Sequence, residues 1–146
     1  MAHRARNRFA LLEISTSSKS PISAATLAIA IKNSVQDCWG EYGVATAGSG
    51  LKVVAIEPLG SFYNPQIFRH LAVIRFSRDF QKQVLSSICL TSYSGAENPT
   101  VVRVMEICGR LKSAGEAGLL FLQRLGSRVA DRQRVEGVLA GLPEYA

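Results

Sequence analysis

Four short runs rich in β-branched and other apolar residues are separated along this chain by segments of helical period, and their order leaves few ways to fold. The first run is Phe9-Ala10-Leu11-Leu12-Glu13-Ile14. A polar stretch from Ser15 to Ser23, with Pro21 inside it, reads as a loop that ends in a helix cap at Ser23. From Ala24 to Trp39, apolar Leu27, Ile31, Val35 and Cys38 recur at helical spacing, with Lys32, Gln36 and Asp37 on the other side. Gly40 and Gly43 are expected to break that helix around Glu41-Tyr42. A second strand is predicted over Leu51 to Ile56 and a third over Leu71 to Phe76. The intervening Leu59 to His70 is long for a hairpin connection and reads as an enlarged one. Ser77 can cap a helix from Arg78 to Leu90 whose inner face is Phe80, Val84 and Ile88. The fourth strand is Val101 to Cys108. Two further helices are expected, Ser113 to Leu125 and Arg128 to Leu139, joined near Gly126-Ser127 and ended by Gly141 and Pro143.

The order β-α-β-β-α-β followed by helices predicts an α+β fold. It is that of a ferredoxin/RRM-like α/β sandwich, a four-stranded antiparallel sheet with helices on one face and additional C-terminal helices. Its strands are apolar on both faces, as in Leu11 with Leu12, Val53 with Val54, Val73 with Ile74 and Val104 with Met105. A sheet with one face in water should alternate, so the second face is expected to be covered by the C-terminal helices or by a partner protein. At 146 residues the chain reads as one domain, 1–146, with a basic arm at 1–8 and the C-terminal helices at 113–139.

Charge is placed unevenly. Residues 1–8 hold three Arg and no acid, residues 9–109 hold eight Lys or Arg against seven acids, and residues 110–134 hold six against two. A nearly neutral middle with basic ends points to nucleic acid or another polyanion, with a merely solubilising surface as the plain alternative. The three cysteines, Cys38, Cys89 and Cys108, are odd in number and widely spaced, and they read as reduced, buried small hydrophobes of a cytosolic or nuclear protein. No apolar run approaches the roughly 20 residues of a membrane span. The basic, initially acid-free start could pass for a mitochondrial presequence, but it turns directly into a strand pattern.

Catalytic chemistry is poorly supplied. The two histidines, His3 and His70, have no Cys or carboxylate companion at metal-ligand spacing, and they read as a solvated and a strand-edge residue. Ala47-Gly48-Ser49-Gly50-Leu51-Lys52 evokes a phosphate loop but lacks its first glycine and its Lys-Ser/Thr pair, and it precedes a strand instead of a helix. Base stacking on an open RRM-type sheet needs aromatics in a glycine-containing third strand; Leu71 to Arg78 offers only Phe76. What remains is backbone binding. Arg75 and Arg78 lie at the end of the third strand, Arg110 and Lys112 after the fourth, and Arg4, Arg6 and Arg8 before the first. Arginines in such a set grip phosphate oxygens and recognise folded RNA by shape.

Four segments resemble a known family. Arg6-Asn7-Arg8-Phe9 running into Leu11-Leu12-Glu13, and Trp39-Gly40-Glu41-Tyr42-Gly43, are similar to the opening of the Pop-five branch of the Pop-five/Rpp-fourteen family of ribonuclease P and MRP protein subunits. Ile74-Arg75-Phe76-Ser77-Arg78 with Gln83-Val84, and Glu106 to Ala114, continue the resemblance, which spans roughly residues 4–125 in the right order. The family often carries an aromatic at Ala5, Phe at Trp39 and Trp at Leu85, and its second hairpin is usually short. The resemblance implies a non-catalytic subunit, without metal or cofactor. Such a subunit stabilises a catalytic RNA that removes the 5′ leader of precursor tRNA, in ribonuclease P, ribonuclease MRP or both. It also implies contact with precursor tRNA only indirectly, pairing with a TIM-barrel protein subunit and other subunits of the particle, no membrane association, and residence in the nucleus and nucleolus. Carried over position by position, the RNA-contact residues are Arg6, Arg8, Arg75, Arg78, Arg110 and Lys112, and the two-sided apolar sheet is the reason to expect protein partners.

Two other readings compete. An acylphosphatase-like hydrolase on the same sandwich would need a glycine-rich cradle with an arginine directly after the first strand, and Ser15 to Ser23 contains neither. A regulatory or scaffold module that binds only protein would not need basic ends.

Overall fold

The computed structural model describes residues 6–17, 21–60, 67–91, 100–125 and 132–145. Strands β1 (Asn7–Thr16), β2 (Lys52–Gly60), β3 (Phe68–Ser77) and β4 (Val101–Cys108) form one sheet in the order β2-β3-β1-β4, with antiparallel pairing throughout. Helices α1 (Ala24–Gly43) and α2 (Gln81–Ile88) connect them, and α3 (Leu111–Leu125) and α4 (Arg132–Ala140) follow. This is the predicted four-stranded α+β sandwich with two added helices. Among the described residues, no helix is long and apolar enough to cross a membrane.

The period of two in β1 divides the interior. Ala10, Leu12 and Ile14 pack with Leu27, Ile31 and Val35 of α1 and Val84 and Ile88 of α2. Phe9 and Leu11 point the other way, onto Leu111, Ala114 and Leu122 of α3 and Val135 and Leu139 of α4. Burying such a side chain contributes about 1.5–3 kcal/mol, so both faces of the sheet stabilise the fold. The second face is therefore covered by the chain's own helices, and the apolar strands give no reason to expect a protein partner. Three register shifts keep the outer strands in step with this pattern, one of them between Pro58 and Gly60 of β2. Leu11 pairs with Glu106 and Leu12 with Val104, leaving Met105 as the extra residue of β4, where it joins the second core. Val53 pairs with Ile74 and Ala55 with Val73, so Val54 is the extra residue of β2.

Helix α1 is capped by Ser23, whose hydroxyl accepts from the Thr26 N–H at 3.1 Å. The helix breaks once, at Gly40, whose φ of 71° and ψ of −168° only glycine adopts readily. Gly43 is helical, and a short π-helical turn, Val44–Gly48, leads on to β2. Helix α4 lies close on α3 because a β-carbon at Gly115 would sit 2.6 Å from the Leu139 carbonyl oxygen, and one at Gly118 would sit 2.9 Å from Leu139 Cδ1.

Several expectations are corrected. Cys38 and Cys89 are exposed and Cys108 is half-buried; all three are free thiols. The buried stripe of α1 effectively stops at Val35, so the turn carrying Cys38 runs past the core. At Cys108, burial and then the Glu106 and Glu116 carboxylates push the thiol up, which suppresses the reactive thiolate. Ser77 makes no side-chain cap; a 3₁₀ turn, Arg78–Phe80, precedes α2, and the Arg78 N–H donates to the Arg6 carbonyl at 2.7 Å. His70 is neither solvated nor at an edge. It is 2 % exposed on interior strand β3, and its Nε2 accepts from the Ile22 N–H at 3.1 Å, tying the approach to α1 onto the sheet. The enlarged hairpin shrinks: Leu59 and Gly60 belong to β2 and Phe68 to His70 to β3, while 61–66 lie outside the described residues. Arg4 and the Gly126-Ser127 joint also lie outside them.

Candidate nucleic-acid interface

Antiparallel pairing brings the starts of β1 and β2 and the ends of β3 and β4 to the same end of the sheet. One row across the four strands there reads Lys52, Arg75, Phe9, Cys108, from the pairs Lys52↔Arg75, Phe9↔Arg75 and Phe9↔Cys108. Arg8 stands in the next row, opposite Phe76. It is half-buried, and its Nη1 lies 3.8 Å from where a β-carbon of Gly109 would be and donates to the Asn7 carbonyl at 3.3 Å. The guanidinium thus lies beside the exit from β4. The Arg6–Arg78 backbone bond continues the β1–β3 ladder one step beyond Asn7↔Ser77, so those two arginines are neighbours at the rim.

Beyond β4, Arg110 and Lys112 flank the first residue of α3. Leu111 is fully buried in the second core and fixes the helix start, while Arg110 and Lys112 are exposed. The helix start is tied to the segment after α4. The Leu111 N–H donates to the Glu144 carbonyl at 2.8 Å and the Lys112 N–H to the same oxygen at 3.4 Å; Arg110 Nη1 lies 3.3 Å from Glu144 Oε1. That ion pair is half-exposed, with side chains 52 % and 55 % accessible, so water screens it and it holds Arg110 only loosely.

All six residues marked from the sequence, Arg6, Arg8, Arg75, Arg78, Arg110 and Lys112, therefore converge on one end of the molecule. Lys52 joins them and was missed, because a lone lysine at the start of a strand carries no signal of its own. Its significance lies in the register: Lys52 and Arg75 are directly opposite, and like charges across a strand pair repel. The arrangement offers fixed positive charge on rigid strand ends, which suits phosphate oxygens. Among the described residues, no group of three or more His, Cys, Asp or Glu is placed to hold a metal ion.

The chain is thus a small α+β sandwich of ferredoxin-like topology with cations gathered at one end of its sheet. The sequence profile of the Rpp14/Pop5 family matches residues 8–119, and the chain belongs to that family. No curated protein matches it at a significant level. Among solved structures, a chain of the cryo-EM structure of yeast ribonuclease MRP is similar. It has a TM-score of 0.51 and 16 % identity, with 86 % of this chain and 91 % of that chain covered. That likeness concerns the fold.

Proposed function

We propose that the chain is a non-catalytic, RNA-binding protein subunit of ribonuclease P, extending to ribonuclease MRP, of the Pop5 branch. Family membership and the fold shared with a chain of a ribonuclease MRP particle support this reading. The observation that carries it is the convergence of cations from three separate segments, around Arg8, Arg75 and Arg110, on one sheet end. In this role Arg6, Arg8, Arg75, Arg78, Arg110 and Lys112, with Lys52, neutralise phosphates of the catalytic RNA. The hydrolysis that removes the 5′ leader belongs to the RNA, and precursor tRNA is met only indirectly. The partners in the particle are a TIM-barrel protein subunit and further protein subunits, and the working place is the nucleus and nucleolus.

The test is a salt titration of binding to the RNA that copurifies with the tagged chain. Each phosphate contact contributes about 0.7–0.9 to the slope of log affinity against log salt. Replacing Arg110 and Lys112 together by Ala should flatten the slope by roughly 1–2 units, with thermal melting unchanged. An unchanged slope in a folded double variant would remove these residues from the interface.

A further inference from the structure

We propose that Trp39 and Tyr42 form a stacking platform for unpaired bases, joined to the cationic rim. This rests on the RNA-binding reading and adds to it a preference for a kind of RNA. Helix α1 runs antiparallel to β1, so its last turn returns to the end of the sheet where β1 begins. There Trp39 is 42 % and Tyr42 79 % exposed. Aromatic side chains of this size usually dominate cores and interfaces. A third exposed aromatic, Tyr145 at 54 %, follows Glu144 beside the start of α3. Among the described residues these are the exposed aromatics, and all three lie at the cationic end.

The aromatic turn is built rigidly into the rim. A β-carbon at Gly43 would lie 2.4 Å from Trp39 Cβ, so the chain packs against Trp39 as only glycine allows. Thr46 Oγ1 donates to the Tyr42 carbonyl at 2.8 Å, and Ser49 Oγ to the Thr46 carbonyl at 2.9 Å. A β-carbon at Gly50 would lie 3.7 Å from the Ser77 backbone nitrogen, next to Arg78, and Lys52 follows two residues on. Both faces of the sheet are covered by helices, so the strands offer no aromatic surface to a base. The exposed rings beside the cations do. Phosphates on the rim would leave bases free to reach Trp39 and Tyr42, whereas a fully paired duplex keeps its base faces stacked away.

Trp39 is the single tryptophan of the chain, so its fluorescence reports on the platform directly. The full chain is titrated with two RNA probes of equal length, a fully paired two-stranded duplex and the same duplex interrupted by an unpaired purine-rich internal loop. The expected result is quenching of Trp39 by the looped RNA alone and a preference for it of about tenfold. Tyr42→Leu should reduce that preference while leaving the salt slope and the melting temperature unchanged. Equal binding of the two probes with Trp39 fluorescence unaltered would overturn the platform and leave the rim standing. Failure to bind either RNA would overturn both.

Discussion

Glu144 closes the start of the helix that Leu111 opens: its carbonyl oxygen accepts the Leu111 N–H at 2.8 Å while its carboxylate faces Arg110 at 3.3 Å. Backbone and side chain of one residue thus do two separable things. The carbonyl satisfies donors that every helix leaves unpaired at its beginning. The carboxylate sets a negative charge in front of a cation of the candidate interface.

Glu144→Gln separates them. The backbone cap survives, and because the ion pair is half-exposed the variant should lose no more than about 1 kcal/mol of stability. With Arg110 released, the salt dependence of RNA binding should steepen by up to about one unit. A titration in which Glu144→Gln binds with the parent's slope would mean that the Glu144 carboxylate does not hold Arg110 back from phosphate.

A buried carboxylate lies on β1, towards the end of the sheet away from the cations. Glu13, its side chain 4 % exposed, is 3.8 Å from Arg69 Nη1 and 3.5 Å from Arg103 Nη1. Arg103 is the nearer partner, but its side chain is 64 % accessible against 29 % for Arg69, so solvent should weaken it more. Glu13→Gln is expected to cost about 1–2 kcal/mol in urea unfolding. Double-mutant cycles should give the larger coupling to Arg69→Met. A larger coupling to Arg103→Met would show that distance outweighs screening here.

Two glycines should respond in opposite directions to the same substitution. Gly115→Ala forces a methyl group against the Leu139 carbonyl, 2.6 Å away, and overpacking of that kind costs about 1–3 kcal/mol. Gly137 sits in α4 with nothing within 4 Å of a β-carbon, so Gly137→Ala should stabilise by about 0.5–1 kcal/mol through helix propensity. Thermal melts of the two variants check both signs.

His70 makes stability depend on pH. Burial holds it below its ordinary value, and its Nε2 must stay unprotonated to accept the Ile22 N–H. As pH falls through about 6.5, the unfolded chain binds the proton first, so stability decreases until the lowered folded value is passed. His70→Gln retains an acceptor without the titration and should show a flatter profile between about pH 7 and pH 5. Parallel profiles for the two proteins would assign the acid sensitivity to other groups.

Element order was readable because each strand and helix announces its own period, and the six cations were readable because they sit at strand ends that the order aligns. The features that escaped depend on partners distant in sequence. Glu144 meets Arg110 across 34 residues and Glu13 meets Arg103 across 90. Lys52 gains meaning only opposite Arg75, and that register is set in turn by the bulge at Val54. Cys38 continued an apolar stripe on paper, yet nothing in the stripe itself records where the sheet beneath it stops. His70 likewise had no local signal of burial; the Ile22 N–H that it accepts belongs to a loop 48 residues earlier.

The central place of β1 has a consequence in time. It is made before the other three strands of the sheet, yet its two neighbours are β3 and β4, and the end of β4 lies about ninety residues later. At about 5–20 residues per second, Phe9 to Ile14 would wait roughly 5–20 seconds before both edges are paired, and the face of Phe9 and Leu11 stays uncovered until α3 and α4 follow. Such a nascent chain is a natural client for chaperones. The Arg110 corner of its cationic rim is completed last, once residue 144 has been made and closes the start of α3.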